Sequence, residues 1–222
     1  MGAGGGGGAD ASEDATGMGG GGGDLCTVQG SSGVDAAVPT FTMSWTFDGP
    51  GGLLRWSPIG QPAMVVATTM AVLDPQDGFP DPGSVRMTIP FAGAGQQVAL
   101  GFAFSAPQNF AGKSLSARVR LNSCNPSGAI LAGLAFKSVV SAYVFASSAV
   151  PTIVAANGWT TFSLSFDAPD GFVDLSHKDA DGGTIYPDPR AVLEIDVLVL
   201  TGSSPFTTAD VSIDTIGISD VP

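Results

Sequence analysis

Apolar and polar residues alternate with a period of two along several short stretches of the chain. In 114–121, Leu115, Ala117, Val119 and Leu121 fall on one side, and Ser116, Arg118 and Arg120 on the other. In 159–166, Thr160, Phe162, Leu164 and Phe166 share a side, leaving Trp159 with Thr161, Ser163 and Ser165. In 192–200, Leu193, Ile195, Val197 and Val199 oppose Glu194 and Asp196. Successive side chains of a strand point to opposite faces, so this period predicts half-buried strands. Further strands are predicted at 41–47, 64–73, 84–91, 97–104, 129–136, 142–148 and 210–218. The segments between them, DGPGG, DPQDGFPDPG, FAGAG, CNPSG and ANG, carry the Gly, Pro, Asn and Asp of turns. About ten strands at this spacing, with no amphipathic helix among them, predict an all-β, two-sheet antiparallel β-sandwich.

The last stretch, ADVSIDTIGIS (209–219), poses a problem of burial. Strict alternation puts Asp214 on the same face as Ile216 and Ile218, which read as core. A carboxylate there must be paired, hydrogen-bonded or bound to a metal, since an isolated buried charge is very costly.

Composition sets the limits around this frame. Hydrophobic residues make up 44% of the 222 and charged residues 13%, with 32 glycines and 16 prolines. That mixture suits many short strands joined by turns around a large core. Residues 1–24 hold twelve glycines and no large apolar side chain but two methionines, so 1–38 is expected to be a disordered Gly-rich tail or linker. The folded domain is expected over 39–222. The formal net charge of −12 repels phosphate backbones and anionic lipid, which argues against nucleic acid and membrane surfaces as partners. No run of eighteen apolar residues occurs, so membrane insertion is not expected. The Gly-rich start suggests that a native export signal was removed and Met1 added. Cys26 has no apolar run before it and is not read as a lipidation site, so the tail resembles a lipoprotein linker only in being flexible. Cys26 and Cys124 could form one disulfide closing a loop of about a hundred residues, worth roughly 4–5 kcal/mol in the chain-entropy model. Two unrelated reduced thiols are the alternative. The disulfide, if formed, would imply an extracytoplasmic home, and the chain is expected to be secreted or tethered to the cell surface.

The order of several segments carries a resemblance. TFDGPGG follows the first strand, DGFPDPGSVRMTIPF leads from a turn into a strand, and SLSARVRLNS is a central strand. LAFKSVVSAYVFASS forms a strand pair, ANGWTTFSLSF opens on Gly-Trp, and VLEIDVLVL precedes DVSIDTIGIS. Over residues 40–219 this series resembles the jelly-roll carbohydrate-binding modules with a galactose-binding-domain-like fold, often attached to bacterial glycan-degrading enzymes. The resemblance implies a structural Ca2+ held by an acid after the first strand and an aspartate in the last, here Asp48 and Asp214. Calcium takes six to eight oxygens at about 2.3–2.6 Å, so two carboxylates are insufficient. Carbonyls, water, or Asp74, Asp77 and Asp81 of the DPQDGFPDPG turn would complete the set. An Asp214 bonded to backbone amides or hydroxyls without metal is the alternative. DADGG, within the long acidic segment 167–190, matches part of an EF-hand loop but meets Arg190 where a bidentate glutamate is required.

Sugar recognition uses aromatic rings over the apolar face of a pyranose and planar polar groups on its hydroxyls. Trp159 suits the first role, with Tyr143, Phe145 and Trp56 as further platforms. Arg118 and Arg120 suit the second, with Glu194 and Asp196 as acceptors, if these strands share one sheet. The expected function is non-catalytic binding of a polysaccharide or glycan through a sheet face or its edge loops. A structural or adhesive surface protein without a sugar site is the alternative. Glycoside hydrolysis by Glu194 and Asp196, roughly 6.5–7 Å apart along one strand face, is the weaker one. The single histidine, His177, has no placed nucleophile to partner it, and GxSxG, P-loop, HExxH and CxxC motifs are absent.

Overall fold

The computed structural model describes residues 40–59, 69–93, 95–122, 130–139, 143–147, 158–169, 178, 180–201 and 208–221. The tail 1–38, both cysteines and His177 lie outside the described residues.

Among the described residues, eleven strands build two antiparallel sheets. They are β1 (Met43–Trp45), β2 (Trp56–Ile59), β3 (Met70–Asp74), β4 (Ser84–Ile89), β5 (Gln97–Gln108) and β6 (Lys113–Leu121), followed by β7 (Ile130–Val139), β8 (Tyr143–Ser147), β9 (Thr160–Ser165), β10 (Val192–Thr201) and β11 (Ala209–Asp220). The first sheet runs β3-β4-β11-β6-β9, with β1 also paired to β11. The second runs β2-β5-β10-β7-β8. The all-β sandwich expected from alternation is the fold observed. Strand β2 is the element that alternation did not reveal. It is four residues long and contains Pro58, which cannot donate to a ladder; as an edge strand it loses nothing by that.

The core lies between the inner faces. Val85, Met87 and Ile89 of β4, Leu115, Ala117 and Val119 of β6, and Val211, Ile213, Ile216 and Ile218 of β11 come from the first sheet. Leu100 and Phe102 of β5, Leu134 and Phe136 of β7, and Ile195, Val197 and Val199 of β10 come from the second. A run of aromatic contacts at one end of the core joins Trp45, Trp56, Phe102, Phe104, Phe110 and Phe166, with neighbouring ring centroids 5.0–5.5 Å apart.

Two bulges correct the predicted faces. On β11, Asp214 pairs with Arg118 and Gly217 with Ser116, so β11 carries one more residue than β6 across this interval. Thr215 takes φ 47 to accommodate it. The side-chain alternation resets there. Val211 and Ile213 before the bulge and Ile216 and Ile218 after it all reach the core, while Asp214 turns to the outer face. Asp214 therefore does not share a face with the isoleucines, as uninterrupted alternation had it. On β10 a second bulge between Val192 and Glu194 brings Val192 into the core and leaves Leu193 only partly covered.

Gly217 sits where the ring of Phe41 crosses the outer face of β11, and a Cβ at 217 would overlap that ring. Gly217→Ala is expected to destabilise the fold by about 1–3 kcal/mol. In Phe41→Ala the same change should cost much less. Urea unfolding of the two single variants and the double variant measures this coupling.

Candidate functional site

The outer face of the first sheet is polar and partly roofed by the turn between β3 and β4. Phe79 of that turn fixes the roof: its N–H donates to Asp214 Oδ2 at 2.6 Å, and its carbonyl accepts from Thr215 Oγ1 at 2.8 Å and Arg118 Nη1 at 3.1 Å. The Arg118 guanidinium also lies 4.7 Å from the centre of the Phe79 ring. Gly83 closes the turn at φ +126, packed so tightly on Phe47 and Asp48 that a Cβ would stand 2.8 Å from the Asp48 Cα.

Beneath the roof Asp214 is almost fully buried. Its Oδ1 accepts the Thr215 N–H at 2.6 Å, so each oxygen holds a backbone donor. Burial nonetheless pushes its carboxyl up to about 6; the two N–H donors pull the other way, and the nearby Asp48 carboxylate adds to the rise. Asp48, Asp81 and Asp214 line one cavity of about 130 Å³ together with Thr46 and Thr215. Every donor there is a hard oxygen, which suits calcium in kind. Among the described residues, however, no three acids converge closely enough to form a metal-binding group by themselves. Carbonyls and water would have to supply most of a coordination shell.

Beside the roof the same face opens into a polar hollow of about 320 Å³ lined by Asp74, Asp77, Arg86, Arg120 and Asn122. Adjacent strands place these groups: Arg120 of β6 lies opposite Ser212 of β11, and Arg86 of β4 lies opposite the same serine on the other side. Arg120 forms an ion pair with Asp77 and donates to Asn122 Oδ1 at 2.9 Å. Asp77 also accepts from Ser212 Oγ at 3.0 Å, and Asn122 Nδ2 donates to Ser212 Oγ at 2.8 Å. Arg86 donates to both carboxylate oxygens of Asp210, Nε to Oδ1 at 2.9 Å and Nη2 to Oδ2. That bidentate bond holds the Asp210 carboxyl below its ordinary range. Trp159 stands immediately before edge strand β9, next to Arg120. The Arg120 guanidinium stacks over its ring at 4.8 Å from the centroid, and the indole is half-buried.

The residues singled out in the sequence are thus divided among the first sheet's outer face, the small cavity, the second sheet and the core. Arg120 and Trp159 meet on the outer face of the first sheet. Arg118 is on that face too but is buried under Phe79, with no open surface to offer a hydroxyl. Asp77 belongs to the hollow and is committed to Arg120, whereas Asp48, Asp81 and Asp214 share the small cavity. Glu194 and Asp196 lie in β10 of the second sheet, on the far side of the sandwich, so they do not join the arginines on one wet face. They pair instead with Lys137 of β7. Trp56, expected as an exposed platform, is core: its ring packs edge-on against Trp45 and Phe47. Tyr143 and Phe145 lie in β8, at the edge of the second sheet, opposite Val139 and Lys137. Arg86, Asn122 and Asp210 were missed. The outward positions of predicted strands 84–91 and 210–218 signal the first and last; nothing in the sequence says that these strands are neighbours.

No protein-family model matches the chain, and no curated protein matches it by sequence. Solved structures do match its fold. A carbohydrate-binding module studied for the promiscuous specificity of its β-sandwich superfamily superposes with a TM-score of 0.54 at 16% identity, over 82% of this chain and 63% of that one. The chain thus spans less than two thirds of that protein's length. An exo-β-agarase matches with a TM-score of 0.53 at 11% identity, over 82% of this chain and 25% of the enzyme. The family 11 carbohydrate-binding module of a cellulosomal cellulase from Clostridium thermocellum matches at 0.50 and 10% identity, over 82% and 97%. The fold is the jelly-roll sandwich of the β-sandwich carbohydrate-binding modules.

Proposed function

We propose that this domain binds a neutral glycan without chemical turnover, on the outer face of its first sheet, between Trp159 and the polar hollow beside it. The observation that carries the reading is that Arg120, which lines the 320 Å³ hollow with Asp74, Asp77, Arg86 and Asn122, also stacks over the half-buried ring of Trp159. An indole offers a flat apolar surface for a pyranose, and the arginine, amide and carboxylate groups offer donors and acceptors fixed by one another's bonds. Fixed polar groups lose little freedom when hydroxyls replace water on them. A structurally similar family 11 module from C. thermocellum, with a TM-score of 0.50, was solved with a β-1,3-1,4-mixed-linked tetrasaccharide, which favours the same class of ligand. The reading implies a secreted or surface-held domain, with the Gly-rich segment 1–38 as its tether to an envelope or a neighbouring module.

Calcium enters the proposal at Asp48 and Asp214, with Asp81 as the third acid of the cavity. There the ion would neutralise the Asp214 carboxylate, which burial and the nearby Asp48 charge penalise. It would tie the first strand, the β3–β4 turn and the last strand together, away from the glycan face.

Affinity electrophoresis through gels of mixed-linked glucan, xylan and agarose tests the glycan face. Trp159→Ala is expected to weaken retention about tenfold or more, the loss of one stacking contact, with Trp159→Phe retaining part of it. Equal retention of wild type and Trp159→Ala, or migration unchanged by every glycan, removes the reading. Thermal unfolding with millimolar Ca2+ against EDTA tests the cavity. The midpoint is expected to rise with Ca2+ in the wild type and to be insensitive to it in Asp48→Asn.

A further inference from the structure

The outer face of the second sheet is apolar where the first is polar. Ala99 of β5, Ala135 of β7 and Leu198 of β10 are buried there, with Ile59 and Leu200 packed against them. Into this surface β10 projects Asp196, only 1% exposed. Gly101 opposite it makes the room: a Cβ there would stand 2.6 Å from Asp196 Oδ1 and overlap Ile59. Neither carboxylate oxygen of Asp196 has a hydrogen-bond partner among the described residues. Lys137 of β7 reaches toward it, Nζ lying 3.8 Å from Oδ2, and its ammonium is already in close contact with Glu194, directly across the ladder. The three side chains are 17%, 14% and 1% exposed for Lys137, Glu194 and Asp196.

An amine, a proton acceptor touching it and a water-excluded carboxyl group make up the set that amide formation requires. We infer that Lys137 Nζ and Asp196 Cγ condense into an intramolecular isopeptide bond across β7 and β10, with Glu194 carrying the protons. Burial favours the reaction because it holds the Asp196 carboxyl in its protonated form to about 8, and a neutral acid, unlike a carboxylate, accepts a nucleophile. Glu194 takes one proton from the Lys137 ammonium, freeing the nitrogen lone pair. The N–C bond forms at Cγ, giving a tetrahedral centre with an oxyanion, a hydroxyl and a positive nitrogen. Glu194 returns its proton to the hydroxyl, the C–O bond breaks and water leaves as the carbonyl re-forms. The amide nitrogen then sheds its extra proton to Glu194. Two charged or ionisable groups become one neutral amide and one water; no oxidant or cofactor is consumed. Glu194 is the catalytic residue of this step, and Asp196 and Lys137 are its substrates.

Intact-protein mass spectrometry of the purified, reduced chain is the test. The wild type is expected to be lighter than its sequence by one water molecule, and proteolysis should release a branched peptide joining the segments around Lys137 and Asp196. Lys137→Arg and Asp196→Ala are expected at full sequence mass, and Glu194→Gln at full mass or with the linked form greatly reduced. Lys137→Arg keeps the charge beside Glu194 and so tests the bond without emptying the site. Wild type at full mass overturns the inference. So does a water loss that persists in Lys137→Arg and maps to an Asp-Gly pair such as Asp77-Gly78 or Asp181-Gly182, where it would mark a succinimide. Neither outcome depends on whether a glycan is bound.

Discussion

Strand β11 must serve two partners on one side and one on the other, and it does so only because it is one residue too long for its neighbour. Its first half pairs with β4, its second half with β1, and β6 runs along its opposite edge. Without the extra residue near Thr215, either Val211 and Ile213 or Ile216 and Ile218 would face water, since a strand's faces cannot otherwise change. The strain of a β-branched residue at φ 47 is held by bonds on both its ends: its hydroxyl to the Phe79 carbonyl and its N–H to Asp214. The same bulge turns Asp214 outward, toward the backbone amide of Phe79. One irregularity therefore completes the core and anchors the turn that roofs the candidate site.

The sandwich buries charge differently on its two outer faces. On the first sheet each cation is matched: Arg86 to Asp210, Arg120 to Asp77, Arg118 to a carbonyl and a ring. With Lys113 of β6, paired to Asp220, four of the chain's eight cationic residues belong to that sheet, in a molecule with twenty acids. Such fixed pairs contribute little stability at a surface, where screening and side-chain entropy offset the attraction. They do hold the groups in place, which is what a rigid ligand needs. On the second sheet one lysine faces two carboxylates in apolar surroundings, and the match fails by one charge.

The strands were legible in the sequence because the two environments of a half-buried strand differ so strongly in polarity. Leu115, Ala117 and Val119 of β6, and Phe162 and Leu164 of β9, faced the core as their period requires. What period cannot carry is an insertion within a strand: both bulges, at Thr215 and at Leu193, shifted the inferred faces of β11 and β10. Nor does it say which sheet a strand joins. Trp159 and Arg120 could be grouped because β9 and β6 both turn polar sides outward and happen to be neighbours. Glu194 and Asp196 obeyed the same local rule on the opposite sheet. The β2 segment WSPI was hidden by its proline, and with it the burial of Trp56, whose place is set by β5 and β1 rather than by its own neighbours in sequence.

Asp196 is buried with neither carboxylate oxygen hydrogen-bonded among the described residues, and its surroundings explain why no donor relieves it. Ile59 closes one side, Gly101 brings backbone up from below, and Ala135 and Leu198 flank it on β7 and β10. An apolar residue of similar volume at 196 would fit such a pocket at lower cost than a lone acid, since breaking even with buried charge demands complete pairing. Lys137 alone cannot supply that pairing, because Glu194 already holds its ammonium and stands nearer. Two states remove the unmatched charge: one with a proton kept on Asp196, and one with its carboxyl joined to the lysine. The first costs the fold progressively as pH rises, because the unfolded carboxyl releases its proton near 4 while the native one retains it to about 8. The second removes that dependence altogether, since an amide has no proton to lose over this range.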